Sequence, residues 1–337
     1  METLNAKYLI QQAKRCLEGK AATRMAAFHT GITVAAALVI TALQFVLAEG
    51  IGNTSGLSGL GTRSILETVQ TILQWANMIL VPFWGLGFLY ASLQWAKDVC
   101  ARREDLLAGF RRIGPYIGLT INRAILTISV MIVTMNLSST IYMMTPAAAS
   151  FVELVEIEGA DMDALSQMLA QMSWEETMEL AYSLLPMMIL WGCLCLVVLV
   201  PLLYRFRMAE YVILENPQAR GLSSMMISAS LLRRRCWQLF KLDLRLWWYY
   251  GLKLLCTLLC YLDVLANSLG IGLPIGADGA YFVSYGLYLA ALFAVEVAFR
   301  PRVDTAYACA YRRLEELGPA ARKMSMPKPQ DLPWDAE

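Results

Sequence analysis

The chain has 337 residues, only 16% of them charged, and its mean hydropathy is +0.50. Soluble domains carry roughly 25% charged residues, so this composition excludes a disordered or fibrous chain and argues against a soluble globular protein. A formal net charge of +1 gives the chain no overall affinity for nucleic acid.

Six apolar stretches are long enough to cross a bilayer as helices, because a span needs about 20 predominantly apolar residues. Helices are expected, since each satisfies its own backbone polar groups in lipid. The sequence therefore predicts an all-α polytopic membrane protein with six transmembrane helices. The predicted spans are 25–48, 66–96, 116–143, 180–203, 247–266 and 279–299.

These spans form one predicted transmembrane domain, residues 25–317. A cytoplasmic amphipathic segment, 1–24, precedes it, and a proline-rich tail of mixed charge, 318–337, comes after it and is predicted to be disordered. A cleaved signal peptide is the alternative interpretation of the first span. The charged leader of 24 residues and the long apolar run favour a retained helix.

The basic residues are distributed very unevenly along the chain. All but Arg63, Arg123 and Lys253 lie in the four segments 1–24, 97–112, 204–246 and 300–337, whereas the long 144–178 loop has none and is acidic. Lys and Arg are retained on the cytoplasmic side of a membrane. The distribution therefore predicts a multi-pass protein of the cell (plasma) membrane with both termini in the cytoplasm.

Residues 217–240 are predicted to form one amphipathic helix on the inner membrane surface, started by Asn216-Pro217. An apolar face beside an arginine-rich face is typical of a helix that engages anionic headgroups. A positive-inside anchor without lipid selectivity is the alternative. The candidate residues for binding lipid or a cytoplasmic protein partner are Arg220, Arg233, Arg234, Arg235, Trp237, Trp247 and Trp248.

The second span carries a polar stripe at helical spacing, formed by Glu67, Gln70, Gln74 and Asn77. Such a face is unfavourable against lipid, so it must meet protein or water. One interpretation is a water-filled path, which would make the protein a channel or carrier for a small polar solute. The other is that this long helix emerges from the bilayer with its polar face hydrated.

The sequence predicts no catalytic residue, no metal site and no cofactor, and an enzyme is the least favoured class. There is no His-Glu-x-x-His pair and no Gly-x-Ser-x-Gly elbow, and His29, the single histidine, is expected to pack locally. The ionisable residues within spans lie one or two turns from a span end, where side chains can reach the interface. They are Glu67, Arg123, Lys253, Asp263 and Glu296.

Several motifs resemble a bacterial integral-membrane family, common in Firmicutes, that is catalogued as domain of unknown function 975. The resemblance implies about six membrane helices and no assigned activity, and its clearest elements are cytoplasmic in the predicted topology. The sequence therefore predicts a non-enzymatic membrane protein whose basic cytoplasmic face engages anionic lipid or a protein partner. The motifs are REDLLAGFRRIG (103–114), YRFRMAEYVILENPQARGL (204–222), CWQLFKLDL (236–244), LGIGLP (269–274) and TAYACAYRRL (305–314).

Overall fold

The computed structural model describes residues 5–18, 21–53, 60–148, 173–233, 235–262, 264 and 277–317. This part of the chain is about 90% helical and contains no strand. Two short 3-10 helices, Arg103–Leu107 and Pro146–Ala148, accompany the α-helices. The α-helices are α1 (Ala6–Leu17), α2 (Ala22–Asn53), α3 (Leu60–Ala96), α4 (Ala108–Arg111), α5 (Ile113–Met143), α6 (Trp174–Arg205), α7 (Ala209–Glu215), α8 (Gly221–Leu232), α9 (Cys236–Leu259) and α10 (Ala277–Leu317).

Five helical segments are long and apolar enough to cross a membrane, which confirms the prediction of an all-α polytopic protein. The sixth predicted span, 247–266, begins in α9 and ends outside the described residues, so it stays a prediction. The predicted tail, 318–337, also lies outside them. The five segments are Ala22–Leu47, Ser64–Ala96, Ile113–Met143, Ala181–Glu215 and Tyr281–Leu317.

The chain divides into two compact units, and the smaller comprises residues 117–207. It is an antiparallel pair made by most of α5 and all of α6. At one end the Tyr142 hydroxyl donates to the Ser183 carbonyl oxygen (2.9 Å), and at the other Arg123 Nη2 donates to the Phe206 carbonyl oxygen (2.6 Å). Many of the described side chains on both helices are large, apolar and exposed, as expected of helices that face lipid.

The larger unit comprises residues 1–116 and 208–337, and α10 is its central helix. This helix packs against α1, α2, α3 and α9. It continues without a break through Pro301, well beyond the predicted span of 279–299. Its C-terminal half is well buried, and several of its buried residues are small, which lets neighbouring helices approach closely. Thr305, Ala306, Ala308, Ala310 and Leu314 are completely buried there.

Helix α1 is amphipathic and packs along this buried half of α10. Its N-cap is Asn5, whose side chain accepts a hydrogen bond from the Lys7 backbone N–H (3.0 Å). Lys14 and Arg15 are exposed on the opposite face. The buried residues recur at i, i+3, i+7 and i+10, and they are Ala6, Leu9, Ala13 and Cys16.

The prediction of one helix over 217–240 is wrong. Asn216 ends α7, and its side-chain oxygen accepts from the Gln218 backbone N–H (3.1 Å), so Asn216-Pro217 forms a turn rather than a helix start. Helix α8 begins only after Arg220, whose backbone is extended, and the chain leaves the helix again at Arg233 (ψ 120°). A second helix, α9, then starts at Cys236.

Two glycines let the segment after α3 fold back against that helix with the backbones in contact. A Cβ added at Gly87 would lie 1.7 Å from the Leu106 carbonyl oxygen, and one added at Gly109 would lie 2.0 Å from the Phe83 carbonyl oxygen. No side chain fits at such distances. This requirement gives a physical reason for the Gly-Phe pair in the 103–114 motif.

We expect Gly87→Ala and Gly109→Ala each to lower the free energy of unfolding by about 3 kcal/mol or more, because backbone must move to admit the methyl group. Gly114→Ala is the matched control, since a Cβ at Gly114 meets nothing within 4 Å. It should change stability by about 0.5 kcal/mol or less. Thermal unfolding of the purified variants in detergent measures both effects. Equal unfolding temperatures for Gly109→Ala and Gly114→Ala would contradict the predicted close approach.

Candidate functional site

Helix α9 has two apolar faces, one buried and one exposed. Leu239, Leu242, Leu246 and Tyr249 are buried within the larger unit. The opposite face carries large apolar side chains that remain exposed, with Trp237 at 66% and Trp247 at 65%. We call this face the α9 surface and define it by Trp237, Phe240, Lys241, Leu244, Arg245 and Trp247.

The aromatic side chains of the α9 surface are partly ordered by contact with one another. Trp237 and Phe240, one helical turn apart, stack with ring centroids 5.1 Å apart and planes at 21°. Trp248 differs from the other two predicted tryptophans because its ring packs edge-on against Phe299 of α10, with centroids 4.8 Å apart. Trp237 and Trp247 are therefore the outward-facing tryptophans.

The predicted arginines occupy three kinds of position. Arg220 and Arg233 are exposed, one before α8 and one after it, whereas the side chain of Arg234 lies outside the described residues. Arg235 is half-buried, and its Nη2 donates to the carbonyl oxygen of Leu317, the last residue of α10 (3.0 Å). A cation at a helix C-terminus satisfies an otherwise unpaired carbonyl, so Arg235 has a structural partner.

Two further basic residues belong to the exposed surface and were not among the predicted site residues. Lys241 and Arg245 are exposed and lie four residues apart on α9. They alternate with the aromatic residues of the α9 surface. The two predicted elements, the helix over 217–240 and the span from 247, both exclude residues 241–246 and therefore this pair.

Behind the α9 surface, α9 is bound to α10 by a charge cluster around one buried carboxylate, defined as Lys253, Glu296, Arg300 and Asp304. Glu296 is 5% exposed. Its carboxylate lies 2.7 Å from Lys253 Nζ and 3.5 Å from Arg300 Nε, and it accepts a hydrogen bond from the Tyr249 hydroxyl (3.1 Å). Two cations and two carboxylates make the cluster neutral, which is the condition for burying charges at tolerable cost.

Arg300 joins the cluster to a third helix. Its Nε lies 3.1 Å from Asp304 Oδ2, one turn along α10. Its guanidinium carbon lies 4.7 Å from the centroid of the Phe88 ring on α3, a cation–π contact. Arg300 is therefore held by charge from its own helix and by an aromatic face from α3.

His29 links α2 to the same cluster. Its Nε2 lies 3.0 Å from the Trp84 carbonyl oxygen, which can only accept, so Nε2 carries the proton and Nδ1 is the acceptor facing Arg300 Nη1 at 3.4 Å. In return, Trp84 Nε1 donates to the His29 carbonyl oxygen (3.1 Å), and the two rings stack with centroids 5.0 Å apart. Local packing is what the sequence predicts for this histidine.

The burial of Glu296 differs from the expectation that its side chain reaches the interface. The side chain stays inside because Lys253 and Arg300 provide positive charge there. The sequence contained a signal for this, since Glu296, Arg300 and Asp304 recur every four residues and therefore share one face of a helix. The predicted span, 279–299, ends before Arg300 and Asp304 and therefore does not include this pattern, whereas the helix continues to Leu317.

The polar stripe of the second span lies on α3. Glu67 and Gln74 are exposed and Gln70 is half-buried, while the side chain of Asn77 lies outside those the structure describes. Exposure alone does not distinguish a solute path from a hydrated helix end. The channel or carrier alternative therefore stays a prediction.

A second polar contact joins α9 to α10 nearer the start of α9. The Tyr307 hydroxyl donates to Asp243 Oδ1 and lies 3.1 Å from the Tyr250 hydroxyl. Burial raises the pKa of the Asp243 carboxyl from 3.8 to about 6, although the hydrogen bond from Tyr307 works in the opposite direction. Asp243 therefore changes charge near neutral pH.

No family model, curated protein or solved structure matches the chain. The resemblance to the domain-975 family thus stays a prediction. Among the residues that the structure describes, no group of three or more His, Cys, Asp or Glu side chains could hold a metal ion. The functional argument consequently rests on the geometry of the α9 surface and of the cluster behind it.

We expect Asp243→Asn to stabilise the protein at about pH 8 by about 1 kcal/mol and to have little effect at about pH 4. The raised pKa means that the folded state binds the proton more tightly than the unfolded state. The resulting stability is present at low pH and is lost as the pH rises from about 4 to about 6. Thermal unfolding across this range measures the difference. Glu104→Gln, at an exposed site, controls for the change in net charge, and a pH-independent effect of Asp243→Asn would contradict the prediction.

We expect Glu296→Gln to destabilise the protein by about 2 kcal/mol, because it leaves Lys253 and Arg300 with one carboxylate fewer. Lys253→Met should destabilise the protein less than Glu296→Gln does, since Lys253 is 41% exposed. When Glu296→Gln is already present, Lys253→Met should lower the free energy of unfolding by less than it does in the wild type, because the partner of Lys253 is then neutral. Thermal unfolding of the four proteins provides this cycle. Strict additivity of the two losses would show that the residues do not interact.

Proposed function

We propose that the protein is a non-enzymatic, multi-pass protein of a bacterial cell membrane whose α9 surface engages anionic phospholipid headgroups. In this proposal both termini and the α9 surface lie on the cytoplasmic side. Bacterial origin rests on the resemblance of the motifs, and orientation rests on the distribution of basic residues. The observation that carries the proposal is the exposure of Trp237, Phe240 and Trp247 beside Lys241 and Arg245 on one helix.

The chemistry of the α9 surface suits the boundary between headgroups and acyl chains. Trp side chains are favoured there because the ring is largely apolar while its N–H can reach a polar group. Lys and Arg near the surface of an anionic leaflet contribute about 1 kcal/mol each. Lys241, Arg245 and Arg233 together would therefore contribute about 3 kcal/mol of headgroup attraction.

The next two turns of α9 favour a lipid surface over a protein partner. Leu254, Leu255 and Leu258 continue as exposed apolar side chains beyond Trp247. The exposed face thus changes from aromatic and basic to mainly leucine. That gradient is the one a helix meets when it passes from headgroups into acyl chains.

The position of the α9 surface is fixed from behind. Tyr249 and Lys253 on α9 both contact Glu296 on α10, so α9 has little freedom to rotate about its axis. Rotation would place a charged network against lipid and the tryptophans against protein. A helix held in this way need not be ordered when it binds headgroups, which lowers the entropic cost of binding.

The proposal is tested by thermal unfolding of the full chain in nanodiscs of phosphatidylglycerol or of phosphatidylcholine. We expect the anionic lipid to raise the unfolding temperature of the wild type. The variant with Arg233→Gln, Lys241→Gln and Arg245→Gln should lose most of that gain. Lys14→Gln, Arg15→Gln and Arg24→Gln together form the matched control, because they remove the same charge from exposed positions elsewhere in the predicted cytoplasmic segments.

The control variant should keep most of the gain from the anionic lipid. If both triple variants lose it equally, the effect is one of net charge and the α9 surface has no special role. If the α9 variant keeps the full gain, anionic lipid is not what this surface binds. Substituting Trp237→Ala and Trp247→Ala should weaken binding to both lipids, because the rings contribute apolar contact rather than charge.

A further inference from the structure

A cleft of about 460 Å³ lies between α1 and the C-terminal end of α10. This volume falls within the roughly 300–1,000 Å³ typical of sites for small molecules. Each helix contributes one face at i, i+3, i+4 and i+7 spacing. The lining residues are Asn5, Tyr8, Leu9 and Gln12 from α1, and Cys309, Arg312, Arg313 and Glu316 from α10.

The floor of the cleft is apolar and its walls are polar. Leu9 and Cys309 are each 2% exposed and form the base, whereas Tyr8 is 55% exposed. The two side-chain amides, of Asn5 and Gln12, stand on the α1 side. This arrangement, an apolar base with a few convergent polar groups, is characteristic of ligand sites.

Two guanidinium groups give the cleft its charge. Arg312 Nη1 donates to the carbonyl oxygen of Ala96, the last residue of α3, which fixes the side chain while using one of its five N–H donors. Arg313 Nη1 pairs with Glu316 Oε2 at 2.8 Å. This pair is partly exposed on both sides, so it contributes at most about 1 kcal/mol.

The two helix ends beside the cleft carry opposite partial charges. Asn5 is the N-cap of α1, so the positive end of that helix dipole borders the cleft, next to the negative C-terminal end of α10. The sign of the ligand charge is therefore decided by the side chains. Two guanidinium groups in one cleft favour a compact anion with several acceptor oxygens.

We propose that the cleft between α1 and α10 binds a phosphate-bearing ligand. Arg312 and Arg313 hold the phosphate, and the exposed ring of Tyr8 packs against the organic part. A phosphate monoester offers three acceptor oxygens to two guanidiniums and carries up to two negative charges, which a carboxylate does not. The same group occurs on soluble metabolites and on lipids such as phosphatidic acid. The proposal does not rest on the α9 surface, which involves none of these residues.

The test uses the full chain in phosphatidylcholine nanodiscs and measures binding by calorimetry. The soluble probes are adenosine 5′-monophosphate, inorganic phosphate and succinate at matched ionic strength. Phosphatidic acid incorporated in the nanodiscs is the lipid probe. The site variant is Arg313→Gln, and Arg302→Gln is the matched control because Arg302 is exposed on the same helix and does not line the cleft. Arg312 is left intact because it caps α3.

We expect the nucleotide to bind the wild type and the Arg302→Gln control with similar affinity. Arg313→Gln should weaken it by roughly tenfold, the value of one charge-assisted contact. Tyr8→Ala should weaken binding of the nucleotide and leave the affinity for inorganic phosphate unchanged, because only the nucleotide has an organic part to contact Tyr8. Unfolding temperatures of the variants should match the wild type, which separates a loss of binding from a loss of folding.

The lipid arm identifies the source of the phosphate. In one outcome, phosphatidic acid stabilises the wild type, Arg313→Gln abolishes this stabilisation, and the nucleotide does not bind. This outcome supports the phosphate site and assigns it to a lipid headgroup. Equal binding of succinate and nucleotide would overturn the preference for phosphate. Equal losses in Arg313→Gln and Arg302→Gln, or no binding of any probe, would overturn the site itself. None of these outcomes depends on whether the α9 surface responds to phosphatidylglycerol.

Discussion

The larger unit depends on the pairing of Glu296 with Lys253 and Arg300 at the middle of α10. Glu296 is almost fully buried, so its charge is tolerated only while both cations remain beside it. Each partner brings another helix with it, because Lys253 belongs to α9 while Arg300 contacts His29 on α2 and Phe88 on α3. One carboxylate thereby fixes the mutual position of four helices, including the orientation of the exposed face of α9.

Around this cluster the protein combines two kinds of packing. The segments long enough to span a membrane expose many large apolar side chains, as lipid-facing helices do. The C-terminal half of α10 instead buries most of its residues against neighbouring helices, in the manner of a soluble core. Two helices end in this region, and an arginine donates to the last carbonyl oxygen of each. Arg312 donates to the Ala96 carbonyl oxygen at the end of α3, and Arg235 donates to the Leu317 carbonyl oxygen at the end of α10. Water would otherwise have to reach those carbonyls.

Sequence reasoning succeeded for features that depend on length and local composition. Five of the six predicted spans coincide with long apolar helices, because a bilayer selects apolar runs of a given length irrespective of tertiary contacts. It failed where a distant partner decides the outcome. Glu296 is buried because of Lys253, 43 positions earlier in the chain. Asn216-Pro217 is equally compatible with a helix start and a turn, and the turn is observed.

The same limit applies to the basic residues, which divide into two groups that composition cannot separate. Arg233, Lys241 and Arg245 are exposed, whereas Arg235 and Arg300 are bound to a carbonyl or to carboxylates of the larger unit. All five count equally towards the excess of positive charge that predicts the orientation of the chain. Only the exposed group is fully available for headgroups. The charge that orients a membrane protein is therefore an upper limit on the charge with which it can bind lipid, and burial decides how much of it remains.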